Sequence, residues 1–115
     1  MKDWAAIRER YLRDGLPTRL GGLAANLVRI KSFAAQGGSH EVVASLMEES
    51  KRLIEWTAGE IDVDRAAELV TLQVELARWQ LRWRHIGDNA QAGSRVAQDA
   101  AIWSERVLEM SGLLR

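Results

Sequence analysis

The sequence predicts an all-α fold: an up-down-up-down four-helix bundle with a short extra N-terminal helix, in a single domain over residues 1–115. Three observations carry this. Apolar residues recur at steps of three and four along most of the chain, with no sustained two-residue alternation. One proline and nine glycines, the latter mostly clustered, leave long uninterrupted segments. The connectors between these segments are only a few residues long, which makes successive helices antiparallel neighbours.

Taken in order, the first helix is expected to start after Asp3 as N-cap and to run to about Arg13, with Trp4, Ile7, Tyr11 and Leu12 on its inner face. It is expected to lie across one end of the bundle or to extend the second helix with a kink. Asp14-Gly15-Leu16-Pro17 breaks the pattern, because glycine offers a left-handed C-cap and Pro17 suits the first turn of a new helix. The second helix carries Leu16, Leu20, Leu23, Leu27, Ile30 and Ala34, spaced 4, 3, 4, 3 and 4, the 3.5-residue repeat of helices packed nearly parallel or antiparallel. It ends at Gln36-Gly37-Gly38. Ser39 is the expected cap of a third helix with an inner face of Val43, Leu46, Met47, Ser50, Leu53, Ile54 and Thr57, closed by Ala58-Gly59.

Asp62 or Asp64 begins the fourth and longest helix, which reaches roughly Ile86 and would span about 34 Å. Its seam is Leu69, Leu72, Leu76, Trp79, Trp83 and Ile86. Val70, Val74, Ala77 and Leu81 flank that seam, and so wide an apolar arc predicts contact with more than one neighbour. Gly87-Asp88 is the expected turn. Asp88 with Gln91 forms a capping pair, or Ser94 caps a later start because Gly93 weakens the first turn. The last helix shows Val96, Ala100, Trp103, Val107 and Met110, ends at Gly112, and leaves Leu113-Leu114 to pack beyond.

Sixteen Lys and Arg balance sixteen Asp and Glu, which argues against a dedicated nucleic-acid binder or a polybasic membrane anchor. Without cysteine there is no disulfide framework, thiolate metal site or thiol nucleophile. No stretch approaches the roughly 18 consecutive apolar residues of a membrane span, and the charged start from Lys2 and Asp3 does not read as a signal peptide. A cytoplasmic protein without membrane contact is expected.

Enzymatic and metal signatures do not emerge. A dimetal bundle needs Glu-x-x-His on facing helices, and neither His40 nor His85 has a glutamate three residues before it. His40 reads as a solvated residue at a helix start. Gly21-Gly22 and Gly37-Gly38 are isolated pairs rather than a phosphate-binding loop after a strand, and no serine sits in a nucleophile elbow. The sequence therefore predicts no catalytic residue, no metal and no cofactor.

Three surfaces stand out. Residues 78–85 interleave three arginines and two tryptophans at the end of the longest helix, and Arg78, Arg82 and His85 share one face by their spacings of four and three. That face has the chemistry to meet phosphate or RNA. The plainer account is that Trp79 and Trp83 continue the core seam while the cations complement the helix dipole, as Asp62, Asp64 and Glu68 do at the other end. Second, Gly21-Gly22-Leu23-Ala24-Ala25 interrupts a good helix at a cost of about 1 kcal/mol per glycine. A neighbouring helix or a tryptophan ring is expected close against Gly21, Gly22 and Ala25, the alternative being a ligand or partner on that bare backbone. Third, of five tryptophans, Trp79, Trp83 and Trp103 fit core seams, whereas Trp4 and Trp56 sit at element ends. They either lid the bundle or belong to a subunit interface together with the excess apolar arc of the fourth helix.

Two resemblances attach to these segments. Arg78 and His85, separated by six residues, are similar to the loosest form of the Arg-x(4 to 6)-His motif of HEPN-type ribonucleases, small helical bundles that pair so that two such motifs line a cleft. Here the polar residue that commonly follows the arginine is replaced by Trp79. Over nearly the whole chain, Arg8-Glu9-Arg10-Tyr11-Leu12, residues 20–27, Ile54-Glu55-Trp56-Thr57 and Trp103 to Met110 resemble a family of small all-helical cyanobacterial-type proteins. That second resemblance implies no activity. The expected function is thus a non-enzymatic bundle acting through protein contacts, as a homodimer packed across a two-fold axis. The alternatives are an RNA-binding or HEPN-like bundle using Arg78, Arg82 and His85, and a Trp-rich core that binds an apolar ligand.

Overall fold

Asp3 accepts a hydrogen bond from the Ala6 N–H at 3.1 Å, supplying one of the donors that a helix start leaves unpaired, and α1 (Trp4–Leu12) follows. The computed structural model describes residues 2–37, 40–86 and 90–113. Gly15 and Pro17 open α2 (Leu16–Ala35), which runs into Gly37 in the left-handed conformation at φ 63°. α3 spans His40–Thr57 and continues as a 3-10 turn, Ala58–Glu60. Of the two aspartates expected to start α4 (Val63–Ile86), Asp62 is the cap, accepting from the Arg65 N–H at 3.1 Å. α5 (Ala90–Ser111) ends at Gly112, φ 75°.

Some expectations fall on Gly38, Ser39, Gly87, Asp88 and Leu114, which lie outside the described residues. Ser94 does not cap a late start, because α5 is already helical from Ala90. Gly93 serves packing instead. A Cβ at this buried glycine would stand 3.0 Å from the Ala34 carbonyl oxygen, so its absence lets the start of α5 close onto the end of α2.

Among the described residues the elements are all helical, and the contacts link α2 with α5, α2 with α3, α3 with α4, and α4 with α5, the first being the most extensive. Each pair is antiparallel. Arg19 at the start of α2 meets Glu60 just beyond α3, His40 at the start of α3 meets Trp83 near the end of α4, and Glu68 near the start of α4 meets Arg106 near the end of α5.

The buried side chains follow the repeats read from the sequence. α3 buries Val43, Leu46, Met47, Ser50, Leu53, Ile54 and Thr57, the inner face expected of it. Leu20, Leu23, Leu27, Ile30 and Ala34 of α2, Leu69, Leu72, Leu76, Trp79 and Trp83 of α4, and Val96, Ala100, Trp103 and Val107 of α5 complete the core. Each large member contributes roughly 1.5–3 kcal/mol by leaving water.

One placement differs from expectation. α1 neither crosses an end nor prolongs α2; it lies along the flank of α3 with the same polarity. Lys2 reaches Glu49, Trp4 lies against Arg52, and Tyr11 meets Thr57. Its expected inner residues Trp4, Ile7, Tyr11 and Leu12 are only half-buried, because a three-turn helix docked from outside cannot enclose them. α4 does contact more than one neighbour, α3 and α5, as expected of it, but Val70, Val74 and Leu81 of its flanking apolar arc stay largely exposed. Val70 is 50% exposed, Val74 48% and Leu81 60%.

The approach at Gly93 is testable. Gly93→Leu is expected to force α5 off α2 and to cost about 1–3 kcal/mol in urea unfolding, the usual penalty of an overpacked site; unchanged or increased stability would contradict the contact.

Candidate interaction surfaces

The polar junction at the start of α2 is built around Arg19. Its side chain is 7% exposed and lies between α2 and the turn after α3, where burial requires every donor to find a partner. Nη1 and Nη2 donate to the two carboxylate oxygens of Glu60 at 2.9 and 3.2 Å, and Nε donates to the Asp14 carbonyl at 2.9 Å. The Tyr11 hydroxyl donates to the Arg19 carbonyl at 3.0 Å and sits 3.1 Å from the Thr57 hydroxyl, tying α1 to both α2 and α3. The bidentate fork holds the Glu60 carboxyl below its ordinary range, chiefly through Arg19's hydrogen bonds, with the charges of Arg19 and Arg8 adding to the effect. Burial pushes the Tyr11 phenol up. Sequence reading missed Arg19, since nothing in its neighbours marks it as buried.

This junction absorbs most of the residues singled out for an interface. Trp56 is half-buried, with its ring 6.0 Å from that of Tyr11 and tilted by 53°. Trp4 is half-buried between two cations, Lys2 at 5.3 Å and Arg52 at 4.7 Å from its ring centroid. Gly22 faces the Tyr11 ring, 3.9 Å from the place a Cβ would take, and Gly21 faces the Leu113 side chain at 2.8 Å. The small patch is therefore approached by a tyrosine ring and a leucine rather than by a helix or a tryptophan. Ala25 is exposed and lines a cleft of about 370 Å³ between α1, α2 and α3, with Arg10, Asp14, Arg29 and Glu49 at its rim.

At the other end of the molecule His40 is more than a solvated residue. Its ring stacks on Trp83 at 4.9 Å and 12°. Its Nε2 lies 2.6 Å from the Trp83 carbonyl, so this nitrogen carries a proton, while the Trp83 indole N–H donates to the His40 carbonyl at 2.8 Å. The reciprocal pair fastens the start of α3 to the end of α4. Trp79, wholly buried, has no acceptor for its own N–H among the described residues.

Arg78, Arg82 and His85 are all exposed on α4, on the edge of its outer face. Arg78 bonds Glu75 of its own helix at 3.1 Å. Trp79 and Trp83, between them in sequence, point into the core. Beside the cations runs the largest departure from an ordinary surface. Val63, Ala67, Val70, Val74, Ala77 and Leu81 are spaced 4, 3, 4, 3 and 4, a second coiled-coil repeat on the side of α4 opposite the core seam. Val63 is 82% exposed, and the repeat extends over about 27 Å. Sequence reading saw its last four apolar members; the same 3.5-residue spacing would have added Val63 and Ala67.

Among the described residues, no group of three or more His, Asp or Glu side chains is placed to hold a metal ion, and no helix is long and apolar enough to cross a membrane. No protein-family model, curated protein sequence or solved structure matches the chain.

The Arg19–Glu60 junction carries a pH signature. A carboxyl whose value is lowered on folding stabilises the protein above its ordinary value of 4.5 and stops doing so as the pH falls through the depressed folded value. Glu60→Gln is therefore expected to flatten the loss of Tm between about pH 5 and pH 3. A residual slope should persist from Asp62, which Arg65 holds low in the same way. An acid profile identical to that of the parent protein would show that the junction does not contribute.

Proposed function

We propose that the chain is a cytoplasmic, non-enzymatic protein in which α2 to α5 form an up-down-up-down four-helix bundle with α1 as an added flank, and that it works through protein contacts as a homodimer. The ring of antiparallel neighbours, from α2 through α3 and α4 to α5 and back to α2, supports the bundle. The single observation that carries the functional reading is the outward repeat of α4. A helix that presents one 3.5-residue seam to its own core and a second to solvent is patterned for packing on both sides, and the chain covers only one of them. The half-buried tryptophans do not compete for this role, since Trp4 and Trp56 are occupied by Arg52 and Tyr11.

Sedimentation velocity tests the reading. The protein is expected to sediment as a dimer at micromolar concentrations. The double change Val70→Glu with Val74→Glu should give a monomer whose far-ultraviolet circular dichroism matches the parent's, because both side chains are about half exposed in the isolated chain. A parent protein that remains strictly monomeric to high micromolar concentration would overturn it.

A further inference from the structure

We infer that the occupant of the outward α4 seam is the α4 helix of a second copy, running antiparallel about a two-fold axis at Leu72. This rests on the self-association reading above and specifies its geometry. About position 72 the repeat reads the same in both directions: Val63 stands as far before Leu72 as Leu81 stands after it, Ala67 matches Ala77, and Val70 matches Val74. An isologous interface needs this self-complementarity, because residue i of one copy must meet residue j of the other while j meets i. The three layers then pair a large residue with a large one at the outside, alanine with alanine next, and valine with valine at the centre. A parallel pairing would instead place each residue against itself, and the sequence shows no reason for it.

Charge gives an independent indication of direction. Asp62, Asp64 and Glu68 outnumber Arg65 at the start of α4, and Arg78, Arg82 and Arg84, with His85 beside them, outnumber Glu75 at its end. Parallel helices would bring like ends together, whereas an antiparallel pair brings acids to cations. In the heptad frame of the seam, Asp64, Thr71 and Arg78 occupy the same flanking position, and antiparallel helices face such positions against each other. Asp64 of one copy thus meets Arg78 of the other, twice per dimer, and Thr71 meets Thr71 beside the axis. Both charged residues are exposed and available on the outer side of α4. The competing pair of Arg78 with Glu75 is a surface pair within one helix and offers little resistance. The opposite flank is neutral: Gln73 and Gln80 turn toward α3, bonding the Lys51 carbonyl and the Glu48 carboxylate.

Two measurements on the full chain decide this. The absence of native cysteine makes pairing by introduced thiols unambiguous. Under mild oxidation a mixture of Val70→Cys and Val74→Cys proteins is expected to cross-link between the two variants, with each variant alone cross-linking several-fold less. In the second, Asp64→Arg alone and Arg78→Asp alone should each weaken dimerisation about three- to tenfold, and combining them should restore it, because the reversed pair is again complementary. Circular dichroism confirms that each variant is folded. A dimer that cross-links Val70→Cys to itself as readily as to Val74→Cys, or whose charge reversals do not rescue each other, overturns this geometry and leaves self-association standing. A parent chain that does not dimerise at all overturns both and gives the seam to a different protein.

Discussion

The close approach of α2 and α5 is the constraint on which the rest of the fold depends. Their contact is the most extensive of any pair, and where α5 begins it is close enough that a Cβ at Gly93 would stand 3.0 Å from the Ala34 carbonyl oxygen of α2. Backbones that come this near leave no room for bulk between them. Large side chains fill the rest of the core, Leu20, Leu23, Leu27 and Ile30 from α2, Trp103 from α5, and Leu69, Leu72, Leu76, Trp79 and Trp83 from α4. The contacts of α4 with α3 and with α5 are less extensive, and α4 brings the buried indole rings of Trp79 and Trp83 to the core. α4 is held at its ends by polar locks as well as by packing, through Arg65 and Glu68 to α5 and through Trp83 to His40.

Beyond the core, polar chemistry decides where α1 goes. A buried guanidinium must have its donors met, and Arg19 finds them in Glu60 and Asp14. That arrangement sets the turn between α1 and α2 and presents the Arg19 carbonyl to Tyr11. The first helix is consequently steered to the flank of α3, where the tyrosine ring lies beside Gly22 with room for an ordinary contact. Trp56 rests half-buried against the Tyr11 ring, and Trp4 half-buried between Lys2 and Arg52.

What could be read from the sequence was whatever a periodic pattern encodes. The inner face of α3 was legible in full and the seams of α2, α4 and α5 for the most part, because a 3.5-residue repeat leaves one face to bury; Leu16 and Met110 of those seams are only half-buried, and the side chain of Ile86 lies outside those described. The position of α1 was not, since it depends on Arg19 meeting a glutamate 41 residues away. Gly93 reads locally as a weak helix former, and only the facing Ala34 carbonyl reveals it as a contact. The His40–Trp83 pair joins residues 43 apart through main-chain groups that carry no side-chain signature. For the candidate surface, the apolar width of α4 was visible; that its outer half has no neighbour in the chain required the packing of the other helices.

The distribution of charge on α4 has a consequence for how molecules meet. The helix macrodipole is positive at its start, where Asp62, Asp64 and Glu68 lie, and negative at its end, where the arginines gather. Side-chain and backbone dipoles therefore oppose each other, and they do so on a chain whose charges sum to zero. The side-chain charges are the larger, since the macrodipole amounts to only about half a unit charge at each end, but on a chain without net charge their field is screened within about 8 Å at physiological ionic strength. Such a molecule has little means of guiding a partner from afar, and its encounters proceed at the unsteered rate of about 10⁵–10⁶ M⁻¹s⁻¹. Orientation is selected only once surfaces touch, so the charges of α4 act on the lifetime of a complex more than on the speed of its formation.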